Sequence, residues 1–135
     1  MNIRAFSAFS ISVFLAFSLS GPALAQPITS SYALKSGESV DINDLYWVAN
    51  CKSLLTAPPE VTIMDGPPGV SAEVKEAMVV PRVQQCAKPV KGGILTLKAD
   101  NIEDESNTVV TLRIRYKTKD GVRDKSMSFN LALFP

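Results

Sequence analysis

The sequence predicts an all-β fold, an antiparallel β-sandwich preceded by a cleaved signal peptide. Three observations predict it. An N-terminal apolar run ends in small residues, strand-like runs broken by turn residues recur through the middle, and the C-terminal stretch alternates on either side of an Asp-Gly turn.

Asn2-Ile3-Arg4 is a short basic start, Phe6 to Leu19 an apolar run of about 14 residues, and Ala23-Leu24-Ala25 a small-residue cleavage site. Cleavage is expected before Gln26. The apolar run falls short of the roughly 20 residues that a spanning helix needs, and no later segment is apolar enough to span, so no membrane span is expected after cleavage. Removing residues 1–25 from the 135 leaves 110, enough for one domain over 26–135 with a single core. With Arg4 gone, the 14 basic residues become 13 and equal the 13 acidic ones. Whole-molecule attraction to nucleic acid or to an anionic membrane has no support in that balance.

Ser31 to Leu34 is a strand candidate, Lys35 to Glu38 a turn, and Ser39 to Ile42 a second strand with Val40 and Ile42 on one face. Leu45 to Leu55 admits two readings. Asn43 or Asp44 caps a helix in one; Tyr46-Trp47-Val48 forms a strand in the other, followed by an irregular turn at Asn50-Cys51-Lys52, and β-propensity favours the strand. Pro58-Pro59 ends that segment. Val61 to Met64 is a strand, and Asp65-Gly66-Pro67-Pro68-Gly69 is a turn that neither helix nor ladder crosses. Val70, Ala72 and Val74 then share one strand face. Met78 to Val80 is a further strand stopped by Pro81, Arg82 to Gly93 a loop, Ile94 to Ala99 a strand, and Asp100 to Asn107 an acidic loop.

Thr108 to Phe134 is the strongest signal in the chain. A type I′ turn needs positive φ at both central residues, and Asp120-Gly121 suits it. That turn sets Tyr116 opposite Lys125, Ile114 opposite Met127, Leu112 opposite Phe129 and Val110 opposite Leu131. Opposed residues share a face, so one face is apolar. The other pairs Lys117 with Asp124 and leaves Arg113 and Arg115 opposite serines. About seven to nine such strands with turn signals every eight to twelve residues indicate a sandwich.

Val61-Thr62-Ile63, the run Gly66-Pro67-Pro68-Gly69-Val70-Ser71-Ala72-Glu73-Val74, Leu95-Thr96-Leu97-Lys98-Ala99 and Thr111 to Tyr116 together resemble bacterial immunoglobulin-like extracellular domains. The resemblance covers about 75 residues and implies an immunoglobulin-like sandwich exposed to the periplasm or the exterior. Trp47 precedes Cys51, and the interval from Cys51 to Cys86 is short for an inter-sheet bridge of the antibody type. A loop is therefore an alternative anchor for the bridge.

Cys51 and Cys86 are the only cysteines, in a chain directed to an oxidising compartment, so a structural disulfide is expected. The chain has no histidine. This removes Ser-His-Asp and Cys-His nucleophiles and all imidazole metal ligands, and no cofactor or metal site is expected. Ser-Lys and paired-carboxylate chemistry lack a convincing spacing, which leaves a small hydrolase as a remote alternative. Asp100, Glu103, Asp104 and Glu105 lack the spacing and central glycine of a calcium loop and suit a solvated turn.

Two features remain as candidates for partner binding. Arg113, Arg115, Lys117 and Lys119 recur at every second position and project from one side of one strand. Guanidinium groups suit bidentate contact with carboxylate or phosphate, as on an acidic protein or an anionic envelope component; an ordinary charged solvent face is the competing reading. Trp47 beside Tyr46 is either core or an exposed anchor. The expectation is a non-enzymatic binding or assembly module of the cell envelope, periplasmic or secreted, with a structural subunit of a surface appendage as the alternative.

Overall fold

The computed structural model describes residues 30–83 and 85–135; the expected signal peptide lies outside them. Nine strands follow in order: β1 Ser31–Lys35, β2 Ser39–Leu45, β3 Val48–Ala49, β4 Lys52–Ser53, β5 Glu60–Asp65, β6 Val70–Val79, β7 Val90–Ala99, β8 Ser106–Thr118 and β9 Gly121–Phe134. The described residues contain no helix. One sheet has the order β1-β9-β8-β5, a second β2-β7-β6, and β3-β4 is a separate hairpin.

The two large sheets share one core. Val110, Leu112, Ile114 and Tyr116 of β8 and Phe129, Leu131 and Leu133 of β9 supply one side; Leu95, Leu97 and Ala99 of β7 with Leu45 of β2 supply the other. Alternation builds this layer: Val61 and Ile63 of β5 extend it at one flank, Tyr32 and Leu34 of β1 at the other. Tyr32 meets Phe129 edge to face at 5.4 Å. Each such buried side chain contributes about 1.5–3 kcal/mol. The central strand β7 also buries an outward hydroxyl, and Thr96 Oγ1 meets its cost by donating to Asp41 Oδ1 at 2.8 Å.

Several sequence expectations need correction. β1 pairs with β9 in parallel, so the first sheet is not wholly antiparallel. The turn after β1 explains this. It crosses between sheets, with Ser36 N–H donating to Phe134 O at 2.9 Å and Gly37 N–H to Ala99 O at 2.7 Å. Gly37, at φ +87°, supplies the left-handed residue that this crossing uses. The two runs around Val70 and Met78 are one unbroken strand, β6.

The β8–β9 ladder is displaced by two residues from the expected one. Ile114 faces Lys125, Leu112 faces Met127 and Val110 faces Phe129. Of Lys119, Asp120 and Gly121 only the glycine carries positive φ, at +111°; Lys119 and Asp120 form the turn and the glycine follows it. The loop is still two residues long but sits one position earlier than expected, at Lys119-Asp120 with Thr118 opposite Gly121, so it is not the type I′ turn at Asp120-Gly121. Thr118 fixes it, accepting from Asp120 N–H at 3.2 Å and donating to Gly121 O at 2.7 Å. A slip of two preserves every face, so Phe129 remains fully buried.

The strand expected from Ile94 begins earlier, at Val90, so Gly92 and Gly93, expected at the end of a loop, both lie inside β7. A Cβ on Gly92 would collide with the Leu45 carbonyl oxygen and stand 2.7 Å from Val79 Cγ2. Close approach of β2 and β6 to β7 is what the glycine permits. Gly92→Ala is expected to lower stability by about 1–3 kcal/mol in denaturant titration, whereas an unchanged midpoint would show that β2 can retreat freely.

Candidate functional site

Arg113, Arg115 and Lys117 lie on the distal half of β8, on the outer face of the first sheet, whereas Lys119, expected on the same strand, lies in the turn after it because β8 ends at Thr118. β5 and β9 flank them, because Glu60 opposes Arg115 on one side and Asp124 opposes it on the other. The two-residue displacement redistributes the ion pairs. Arg115, not Lys117, binds Asp124, with Nε to Oδ1 at 3.0 Å and a second contact from Nη2 at 3.4 Å. Lys117 Nζ reaches across to Glu60 Oε1 at 3.1 Å. The hydrogen bond from Arg115 holds the Asp124 carboxyl below the usual carboxylate range, and Asp124 raises the Arg115 guanidinium in return.

Arg113 lies between Thr62 and Ser126, and it and Lys119 make no ion pair among the described residues. Lys119 holds the turn through its backbone, donating to Leu54 O at 3.0 Å. The outer face of β8 thus carries three cations in a row, of which two are neutralised, with Lys119 following in the turn.

The inner face of the same hairpin end is built differently. Beyond the second sheet, Tyr116 is buried by Trp47, with ring centroids 5.2 Å apart. Lys125 Nζ stands 4.8 Å from the Trp47 ring, in range for a cation–π contact. Trp47 is half-buried against the core, reached through the segment between β2 and β5 that the structure shows as an extended insert, not a helix. Leu55 bridges to Thr118, and Thr56 N–H donates to Lys117 O at 2.9 Å. The insert therefore clasps the β5 side of the hairpin tip.

Cys51 and Cys86 form a disulfide that ties the tip of β3-β4 to the loop between β6 and β7. It staples two loops and leaves the core to side-chain packing. Tyr46 reinforces the staple, its hydroxyl accepting from Arg82 N–H at 3.1 Å. Such a bond suits an oxidising, extracytoplasmic compartment.

At the opposite end of the molecule the acidic loop between β7 and β8 borders a cleft walled by Pro67, Pro68, Ile102 and Leu133. Lys98 Nζ approaches Asp100 Oδ2 at 3.5 Å. Among the described residues no group of three potential ligands is close enough to hold a metal ion. Sequence reasoning missed the neighbourhood of Lys125, because the cation–π pair joins residues 78 positions apart and no local pattern announces it.

Two measurements test this construction. Burial raises the Tyr116 phenol from 10.0 to about 12. Its folded value lies above its unfolded one, so its contribution is intact below pH 10 and is lost as pH climbs toward 12. Stability is therefore expected to fall across that interval, with Trp47→Ala making the fall smaller and ending it at lower pH while its onset near pH 10 stays; an unchanged profile in that variant would contradict the packing. Reducing the disulfide is expected to cost about 4 kcal/mol on the chain-entropy scale while leaving the β8–β9 ladder formed by amide exchange. No family model, curated protein or solved structure matches the chain, so its role is argued from these residues alone.

Proposed function

We propose that the chain is an exported, non-enzymatic immunoglobulin-like domain of the bacterial cell envelope that acts as a binding or assembly module, in the periplasm or beyond. The strand order supports the immunoglobulin-like reading. With the β3-β4 insert set aside, β2-β7-β6 and β9-β8-β5 follow the B-E-D and G-F-C orders of such domains. Two features depart from the antibody pattern: β1 joins the sheet of β9, and the disulfide spans loops.

The observation that carries the binding role is the outer face of the hairpin. Arg113, Arg115 and Lys117 on β8 and Lys119 in the turn after it form a basic stripe in a chain whose expected mature form is neutral, and Arg113 makes no ion pair among the described residues, acting on Asp124 only through space. Its guanidinium fits an anionic group on an acidic protein or an envelope component. A second reading, the structural subunit of a surface appendage, draws on the unpaired stretch of β9, where strand exchange has an edge to use.

Retention of the processed protein on isolated envelope material is the direct test. Replacing Arg113 and Arg115 by Ser is expected to reduce retention about tenfold or more, and added salt to weaken the wild type in parallel. Retention indifferent to both changes would remove the stripe from the binding role. Polymerisation that grows with protein concentration would favour the appendage reading instead.

A further inference from the structure

β1 covers only part of the β9 edge. It pairs with Asn130 to Phe134, and among the described residues no strand lies beside Gly121 to Phe129 on that side. The backbone there faces outward in a known phase. Asn130 N–H points away from β8 and donates to Ser30 O at 3.0 Å. The β8–β9 ladder runs without a register break, so alternation directs the N–H and C=O groups of Val122, Asp124, Ser126 and Ser128 the same way.

Other edges are less open. β2 and β5 each carry a bulge, and β6 lies against β5. A bulge is one of the devices that blunts an edge against pairing. The exposed part of β9 has none.

Beneath this edge the two sheets part at a cleft of about 280 Å³, walled in part by Asp44, Tyr46, Val83, Tyr116, Lys125 and Met127. A strand laid along β9 would send every second side chain toward it. Arg123, Lys125 and Met127 are the β9 residues whose side chains share the inner face there. A second copy pairing through the same edge would bring residues of like face together, setting Arg123 and Lys125 against their own counterparts. An acidic strand meets those cations favourably. Asp124, the one carboxylate on this stretch, is on the outer face and held by Arg115 at 3.0 Å.

We propose that the Gly121 to Ser128 edge of β9 docks an extended segment of a partner protein as an added strand, with an apolar residue opposite Met127 and acidic residues opposite Lys125 and Arg123. The inference rests on the binding-module reading and adds to the hairpin's outer face a second place of recognition, its edge. The main-chain ladder supplies affinity, and Lys125 at the cleft wall with Arg123 beyond it on the same face supplies selectivity.

The test uses the peptide TVTETET, its reversed sequence TETETVT, and lysine-for-glutamate versions of both, titrated into the full processed chain. One glutamate peptide is expected to bind at least tenfold tighter than its lysine counterpart and to slow amide exchange at Val122, Asp124, Ser126 and Ser128. Ser126→Pro removes an outward N–H without touching the β8 ladder and is expected to abolish binding. Should that variant not fold, Arg123→Glu with Lys125→Glu is expected to transfer preference to the lysine peptides. Amides already protected in the free protein, equal affinity for both charge types, or no binding at millimolar peptide would each overturn the proposal. Binding lost in Arg113→Ser/Arg115→Ser but kept in Ser126→Pro would move the site to the outer face, sinking the edge and sparing the binding-module reading.

Discussion

The structure depends on the apolar inner face of the β8–β9 ladder meeting Leu95 and Leu97 of β7. Val110, Leu112, Phe129 and Leu131 are fully buried there, as are the two leucines opposite. At about 1.5–3 kcal/mol each, these six side chains outweigh any surface ion pair, whose worth is about 0–1 kcal/mol. Everything else is hung on that contact. β1 and β5 extend one layer, β2 and β6 the other, and the basic stripe takes its position from the back of the same ladder.

Much of this ladder was legible because strand alternation has a period of two. The sequence places Leu112 and Phe129 inward whether the register is right or displaced by two, since an even slip exchanges partners without exchanging faces. The turn was the weaker signal. Asp-Gly is compatible with a two-residue loop at Asp120-Gly121 and with one placed a residue earlier, at Lys119-Asp120, and Thr118 selects the second through two hydrogen bonds that the dipeptide does not encode. Ion pairs inherit that ambiguity in full. Asp124 belongs to Arg115 and not to Lys117 because charge pairing, unlike burial, depends on who stands opposite.

Long-range placement was beyond sequence reach for a different reason. The disulfide partners follow from there being only two cysteines, but nothing in their spacing says that they join the β3-β4 tip to the loop after β6. Trp47 similarly has a strand-like local context and a tertiary role that comes from β8 and β9. It covers Tyr116 and stacks under Lys125, closing the flank of the hairpin that the second sheet is too short to reach. Glycines misled in a consistent way. Gly92 and Gly93 resemble a turn in the sequence, yet they mark where neighbouring backbones crowd a central strand.

Net charge concealed the property most relevant to binding. The neutral total of the expected mature chain is the sum of two ends with opposite character. Asp100, Glu103, Asp104 and Glu105 sit in the β7–β8 connection at one end, while Lys117, Lys119, Arg123 and Lys125 crowd the far end of the β8–β9 hairpin. Lys125 stands opposite Ile114, so the two clusters are separated by at least the stretch of β8 from Ser106 to Ile114, about 26 Å at 3.3 Å per residue. That exceeds the screening distance of roughly 8–10 Å at physiological salt, so each end acts on its surroundings independently. An approaching partner meets a cation cluster or an anion cluster and never the neutral average. Composition alone shows a neutral chain; the fold, by sorting the same residues along a long ladder, gives each end a charge of its own.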